Sequence, residues 1–121
     1  MDEKEALLWL AEKLPVGDDC FVLERNDENL LLTTDMLHRE SDFPPGLTHY
    51  SIGWRSCAVS LSDIAAMGGK PEALLLAYGV EEFEKNELED FLRGAREVCG
   101  NHGAEIVGGD LDNHSELTVV T

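Results

Sequence analysis

SLSDIAAMGGKPEALLLAYGV, residues 60–80, joins an apolar helical pattern to an apolar strand through two glycines and a proline. Upstream of it, apolar residues recur at the i, i+3, i+4 spacing of a helix from Trp54 onward, and Gly68-Gly69 followed by Pro71 predicts where that helix ends. The continuous apolar run Ala73–Val80 predicts a strand that is buried on both faces. This stretch therefore indicates helices layered on a sheet.

The segments that precede this stretch add a helix and a hairpin. An apolar helical pattern begins at Ala6 and stops before Pro15. Cys20–Glu24 and Leu30–Asp35 are strand-like and flank a polar turn, so they predict a β-hairpin. Residues 36–48 contain Pro44-Pro45-Gly46 and show no periodicity, which predicts a long loop.

The segments that follow complete the predicted order helix, β, β, α, β, α, β, β. Leu88–Cys99 is amphipathic at helical spacing, and we expect Gly108-Gly109-Asp110 to turn between the strands Glu105–Val107 and Leu117–Thr121. This order predicts an α+β fold, a mostly antiparallel or mixed sheet with two long helices on one face. We expect residues 1–121 to form a single domain, and the chain to continue in a longer parent sequence, because it stops inside a strand.

Composition narrows the function classes. Nine Lys and Arg against 25 Asp and Glu give a net charge of −16, which argues against binding to nucleic acid or to an anionic membrane. The chain shows no signal peptide and no membrane span. Its three cysteines are far apart in sequence, which is typical of reduced thiols in a cytoplasmic protein.

Aspartates lie where the apolar segments end, among Gly, Ser and Thr. Carboxylates in such a setting suit Mg²⁺, which takes few protein oxygens and keeps waters or substrate phosphates. The predicted hairpin would place Asp19 and Asp35 at the same end of adjacent strands. Aspartate also favours turns and helix caps, and we assign that structural role to Asp18 and Asp112. The candidate functional set is Asp19, Asp35, Asp63 and Asp110.

The sequence identifies no catalytic nucleophile or general base. The four histidines are scattered, and neither a Walker-type phosphate loop nor a dinucleotide fingerprint is present, since Lys70 is followed by Pro71. Phosphoryl transfer needs little more than alignment and charge neutralisation, so an aspartate and Mg²⁺ site is sufficient machinery for it.

Five motifs, in the family's order and at approximately its spacing, resemble the N-terminal domain of thiamine-monophosphate kinases, within the aminoimidazole-ribonucleotide-synthetase-like superfamily. The motifs are Gly17-Asp18-Asp19-Cys20, Leu32-Thr33-Thr34-Asp35-Met36-Leu37, Ile52-Gly53-Trp54-Arg55, Ser60–Pro71 and Val107-Gly108-Gly109-Asp110. Asp42-Phe43 stands where many bacterial relatives carry His-Phe, and Ser60 stands where they carry Asn. The aspartate resembles archaeal versions.

The resemblance implies an N-terminal ATP- and Mg²⁺-binding half of a longer kinase, whose C-terminal domain lies outside residues 1–121. It implies transfer of the γ-phosphoryl group of ATP to thiamine phosphate, and a homodimer whose sheets pair into a barrel. On this basis the half alone should be nearly inactive. The implied metal ligands are Asp19, Thr33, Thr34, Asp35, Asp63 and Asp110, with nucleotide contacts at Gly109 and Asp110 and a substrate contact at Asp42.

Two alternatives stay open at the level of sequence. A chain that is naturally this short could be a non-catalytic nucleotide- or metal-binding dimerisation module. The second alternative is selenophosphate synthetase, another superfamily member, which has a stretch similar to Ala66–Pro71. Against it, the chain lacks a Gly-rich N-terminal stretch with a reactive Cys, and its late motif ends in Gly-Gly-Asp where that enzyme has Gly-Gly-His.

Overall fold

Four helices and six strands make up the chain in a computed structural model that describes residues 1–121. In chain order the elements are α1 Glu3–Ala11, β1 Phe21–Arg25, β2 Glu28–Leu32, β3 Met36–His38, α2 Arg39–Asp42, α3 His49–Ala66, β4 Ala73–Val80, α4 Lys85–Asn101, β5 Glu105–Asn113 and β6 Thr118–Val120. None of the four helices has the length and apolarity needed to cross a bilayer.

The strands form a mixed four-stranded sheet and a separate hairpin. The sheet order is β3-β6-β4-β5; β4 and β5 run parallel, joined by the crossover helix α4, while β3–β6 and β6–β4 are antiparallel. The predicted hairpin is present as β1–β2, and its strands pair only with each other. The α+β class and the mixed sheet are thus confirmed.

Both long helices cover one face of the sheet. Leu37, Tyr78 and Val119 share a row across the sheet and are buried in the core that Ile52 and Phe91 complete from the helices. On the other face, Leu75 is 63% exposed. The expectation that Ala73–Val80 is buried on both faces is therefore wrong for a single chain, because no second layer covers the open face.

Two local predictions were wrong. Residues 36–48 are not one loop, since they contain β3 and the short helix α2. Gly108-Gly109-Asp110 does not turn but lies within β5, opposite Leu75, Leu76 and Ala77 of β4, after a register shift beside Leu74. Position 109 requires glycine because β4 and β5 approach closely there, and a Cβ would overlap the carbonyl oxygen of Leu76.

The helix predictions are confirmed with small changes at the ends. A capping box between Asp2 and Glu5 begins α1, and the helix ends at Ala11, before the predicted stop. Gly68, at φ +72°, follows the end of α3 as predicted. The three cysteines are buried and free, as expected.

α3 and α4 approach so closely that their backbones touch. A Cβ at Gly53 would overlap the carbonyl oxygen of Phe91, and a Cβ at Gly94 would overlap that of Tyr50. Ile52 and Phe91 share one core cluster and Cys57 and Cys99 share another, so the two helices pack side by side over the sheet. This close contact fixes the position of α3, the helix that carries Asp63.

We expect Gly53→Ala to destabilise the fold by about 1–3 kcal/mol in urea denaturation, because the overpacking outweighs the gain in helix propensity. Gly100→Ala is the matched control: Gly100 also lies in a helix, but nothing lies within 4 Å of a Cβ there, so this change should stabilise by up to about 1 kcal/mol. Equal effects of the two changes would contradict the close packing at Gly53.

Candidate functional site

Two carboxylates meet where α3 passes the end of the sheet. Asp35 is held by its backbone, since its N–H donates to the Thr121 carbonyl at 2.9 Å and its carbonyl accepts from the Thr121 N–H at 2.9 Å. Asp63 reaches the same place from α3. Burial raises the pKa of Asp35; the hydrogen bond from Ser60 opposes this, and the charge of Asp63 and a hydrogen bond with it raise the pKa further. We call Asp35 and Asp63 the acid pair.

Hydroxyl groups surround the acid pair. Ser60 Oγ donates to Asp35 Oδ2 at 2.8 Å and lies 2.6 Å from Thr121 Oγ1. Thr33 Oγ1 lies 3.1 Å from Asp63 Oδ2 and 3.1 Å from the Asp19 carbonyl, so one hydroxyl proton serves both acceptors. Each carboxylate of the acid pair is therefore oriented by a hydroxyl group, Asp35 by Ser60 and Asp63 by Thr33.

The hairpin brings the backbone carbonyl of Asp19 to this place, at the strand end where the sequence predicted the residue. Phe21 pairs with Leu32, so the residues just outside the hairpin lie side by side, and Thr33 contacts Asp19. Cys20 Sγ donates to the Asp63 carbonyl at 3.4 Å. Burial and then the neighbouring carboxylates, Asp63 first, raise the pKa of the Cys20 thiol, so it stays protonated and is a poor nucleophile.

Three predicted site residues lie apart from the acid pair. Asp110 and Met36 lie at opposite ends of a row that crosses the sheet through Val120 and Ala77. Three strand spacings, or about 14 Å, separate Asp110 from Met36, the residue that follows Asp35. That row lies on the open face, whereas Asp35 bonds to α3 on the helix face. Gly109 neighbours Asp110 on the edge strand β5, and Asp42 lies at the other end of β3.

Asp42 is held in a fixed position by its own segment. Its Oδ2 accepts from the His38 N–H at 2.7 Å and from Ser41 Oγ at 2.8 Å. The first of these hydrogen bonds, then the second, lower the pKa of the Asp42 carboxyl. Asp42 therefore presents an ionised carboxylate near neutral pH.

A cavity of about 480 Å³ adjoins the acid pair, and sequence reasoning missed most of its wall. Its lining residues are Asp35, Trp54, Arg55, Ala58, Val59, Ser62 and Asp63. Arg55, Val59, Ser62 and Asp63 follow the i, i+4, i+7, i+8 spacing of one helix flank, which is a signal the sequence does contain.

The donor set fits a hard cation that is completed by a ligand. No three His, Cys, Asp or Glu side chains lie close enough to hold a metal ion by themselves. Two carboxylates with adjacent hydroxyls match Mg²⁺, which is usually bound by one or two carboxylates together with waters and substrate phosphates. After burial, the charge of Asp63 is among the causes that raise the pKa of Asp35, and a cation bound by both carboxylates would offset that repulsion.

We expect Asp35→Asn to be more stable than the wild-type protein at pH 7 without metal. The folded-state pKa of Asp35 lies above its ordinary 3.8, so the folded protein binds the extra proton and loses stability as pH rises from about 4 through the raised pKa. The asparagine does not titrate and avoids that loss.

Urea denaturation in a metal chelator at a series of pH values measures this effect. The advantage of Asp35→Asn should shrink as pH falls and disappear below about pH 4. Asp112→Asn, a change at an exposed strand position, should track the wild-type protein throughout. An advantage that does not depend on pH would show that Asp35 carries no titration penalty.

Comparison with known proteins bears on what such a site does. Residues 17–121 match the family model "AIR synthase related protein, N-terminal domain". A thiamine-monophosphate kinase of Halobacterium salinarum is 49% identical over 122 residues, which cover 100% of this chain and 41% of that protein. The kinase of the same name from Methanospirillum hungatei is 49% identical over 105 residues, which cover 87% of this chain and 36% of that protein.

Solved structures agree with the sequence relatives. "AaThiL complexed with AMPPCP and TMP" superposes with a TM-score of 0.86 at 28% identity, over 97% of this chain and 38% of that one. Thiamine monophosphate kinase from Aquifex aeolicus gives a TM-score of 0.84 at 28% identity, over 99% of this chain and 42% of that one. The chain thus spans about two fifths of the length of these relatives.

Proposed function

The chain belongs to the AIR synthase related protein family, of which residues 17–121 match the N-terminal domain, and we propose that it is the ATP- and Mg²⁺-binding half of a thiamine-monophosphate kinase. The proposed reaction transfers the γ-phosphoryl group of ATP to the phosphate of thiamine phosphate, giving thiamine diphosphate and ADP. Residues 1–121 would form one N-terminal domain, and the remaining length of the relatives would supply the C-terminal domain.

The acid pair is the observation that carries this proposal. Asp35 and Asp63 would hold Mg²⁺, and Thr33, Thr34 and Asp19 would complete its surroundings. Bound Mg²⁺ neutralises charge on the phosphate oxygens during phosphoryl transfer. The chain's own residues keep the carboxylates in place: Ser60 and Thr33 orient them by hydrogen bonds, and the Thr121 backbone fixes Asp35.

Asp110 and Gly109 are proposed as nucleotide contacts in a different position. Ligands of one Mg²⁺ lie about 2.0–2.1 Å from it, so Asp110 cannot share an ion with Asp35 within a single chain. Asp110 would therefore serve a second ion or a nucleotide that extends beyond the acid pair. Asp42 is proposed as a contact to the acceptor, because its carboxylate is ionised and held in place.

The relatives favour a kinase over the alternatives. The two relatives at 49% identity and the superposed Aquifex aeolicus structure carry the kinase name, whereas neither a non-catalytic module nor selenophosphate synthetase is favoured. A cytoplasmic location, inferred from the reduced cysteines, stays a prediction.

We expect Asp35→Asn and Asp63→Asn, each in the complete kinase, to lower kcat at least about 100-fold at saturating Mg²⁺, because even residues that only orient a metal ligand are worth 10- to 100-fold. Steady-state formation of thiamine diphosphate measures this loss, and Asp112→Asn serves as the charge-matched control. Both variants should keep the wild-type circular dichroism spectrum. Folded variants with full Mg²⁺-dependent activity would show that these aspartates are structural caps.

We propose that a second copy of the chain packs on the open sheet face. The sheets of the two copies would then pair to form a barrel. Apolar side chains on the open face are well exposed, among them Met36 and Leu75 at 63% each. Exposed apolar side chains gathered on one sheet face are typical of an interface.

The dimer can be tested by sedimentation of the chain. We expect a two-fold dimer at micromolar concentration, and Leu75→Glu should convert it to monomer, because a charge would be buried in the interface. Leu92→Glu, on the outer side of α4, is the control and should leave the dimer intact. A wild-type monomer at all concentrations would contradict the barrel.

A further inference from the structure

Arg55 is an unpaired cation on the wall of the cavity that holds the acid pair. Among the nine Lys and Arg of the chain, Arg55 is the one that lines this cavity. Lys85 and Arg93 each pair with a carboxylate of their own helix, while Arg55 forms no ion pair and no hydrogen bond within the chain. Its side chain is exposed and available to a ligand.

The helix sets the position of Arg55 relative to the acid pair. Arg55 precedes Asp63 by eight residues of α3, a rise of about 12 Å along the same helix flank. Val59 and Ser62 lie between them and line the cavity. The flank is therefore cationic at one end and anionic at the other, with small and neutral side chains between.

The electrostatics of Asp42 place Arg55 near the proposed acceptor contact. Hydrogen bonds from His38 and Ser41 do most to lower the pKa of Asp42, and the charges of His38 and Arg55 lower it further. Arg55 is therefore within electrostatic range of Asp42, although it forms no ion pair with it.

We propose that Arg55 binds the phosphate oxygens of a substrate that lies in the cavity beside the acid pair. This inference rests on the proposed function and names a binding residue that the carboxylates do not include. A guanidinium presents two parallel donors that match phosphate oxygens, and its charge cannot be titrated away. The carboxylates need a cation to approach phosphate, whereas Arg55 can contact it directly.

A purely solvated arginine is the competing explanation. Such a residue would contribute to solubility and leave substrate binding unchanged. Because Arg55 is exposed and holds no structural contact, its removal should not disturb the core, and a change in substrate binding would then report the contact itself.

The test uses steady-state kinetics of the complete kinase with Arg55→Ala, Arg55→Lys and the control Arg96→Ala. Arg96 is an exposed arginine of α4 without an ion pair, so its removal changes the net charge equally. We expect Arg55→Ala to raise KM at least 10-fold for ATP or for thiamine phosphate, whichever phosphate Arg55 contacts, with an unchanged Tm. Arg55→Lys should restore part of the loss, because it keeps the charge but not the paired donors.

The substrate whose KM rises shows which phosphate Arg55 binds. A rise confined to ATP assigns Arg55 to the donor, and a rise confined to thiamine phosphate assigns it to the acceptor. Kinetics of Arg55→Ala that match Arg96→Ala for both substrates, in an active wild-type enzyme, would overturn the role of Arg55 and leave the proposed function standing. A wild-type enzyme that does not phosphorylate thiamine phosphate would overturn both.

Discussion

The fold holds two carboxylates together against their own repulsion, and much of its architecture serves that contact. Asp35 comes from the link between the hairpin and the sheet, and Asp63 comes from a helix packed on that sheet. The backbone of Thr121 holds Asp35, and hydrogen bonds from Ser60 and Thr33 orient the two carboxylates. Repulsion that the apo protein tolerates is typical of a site whose stability depends on a bound cation.

The packing of α3 compensates for this local cost. Ile52 and Cys57 are completely buried on the inner side of the helix, and Gly53 lets α4 approach to backbone contact. The same helix turns its other flank, with Arg55 and Asp63, toward the cavity. A change that loosens the inner side would therefore move the acid pair as well as reduce stability.

The sequence predicted those helices and strands that depend on local sequence signals. The hairpin, α3, α4 and β4 follow from periodicity and from the residues that end each segment, and the structure has all four. The three-residue strand β3 was missed, because Pro44-Pro45-Gly46 dominates the pattern of its surroundings and β3 forms only by pairing with β6. Gly109 was read as a turn because its actual role, close contact with Leu76, is tertiary.

The candidate site divides in the same way between local and tertiary information. The predicted hairpin placed Asp19 and Asp35 at the same end of adjacent strands, and in the structure Thr33 bonds to the Asp19 backbone carbonyl and to the Asp63 carboxylate. The approach of Asp63 followed only from the family resemblance, because 28 residues separate it from Asp35. Arg55 was not selected, since an arginine on a helix usually faces solvent and nothing in the sequence marks the cavity beside it.

The two sides of the site are held with different rigidity. Arg55 and Asp63 share one helix, so the distance between them is set by backbone geometry and does not depend on any loop. Asp19 is held by a hairpin whose strands pair only with each other, and an isolated hairpin is marginally stable.

The hairpin is tied to the rest of the chain by few contacts: Leu31 over Gly69, Cys20 with the Asp63 carbonyl, and Thr33 with the Asp63 side chain. Two of these three contacts end on Asp63 itself, so the order of the hairpin depends on the same residue that forms the acid pair. Through Thr33, the Asp63 carboxylate of the acid pair is joined directly to the strand end that carries Asp19.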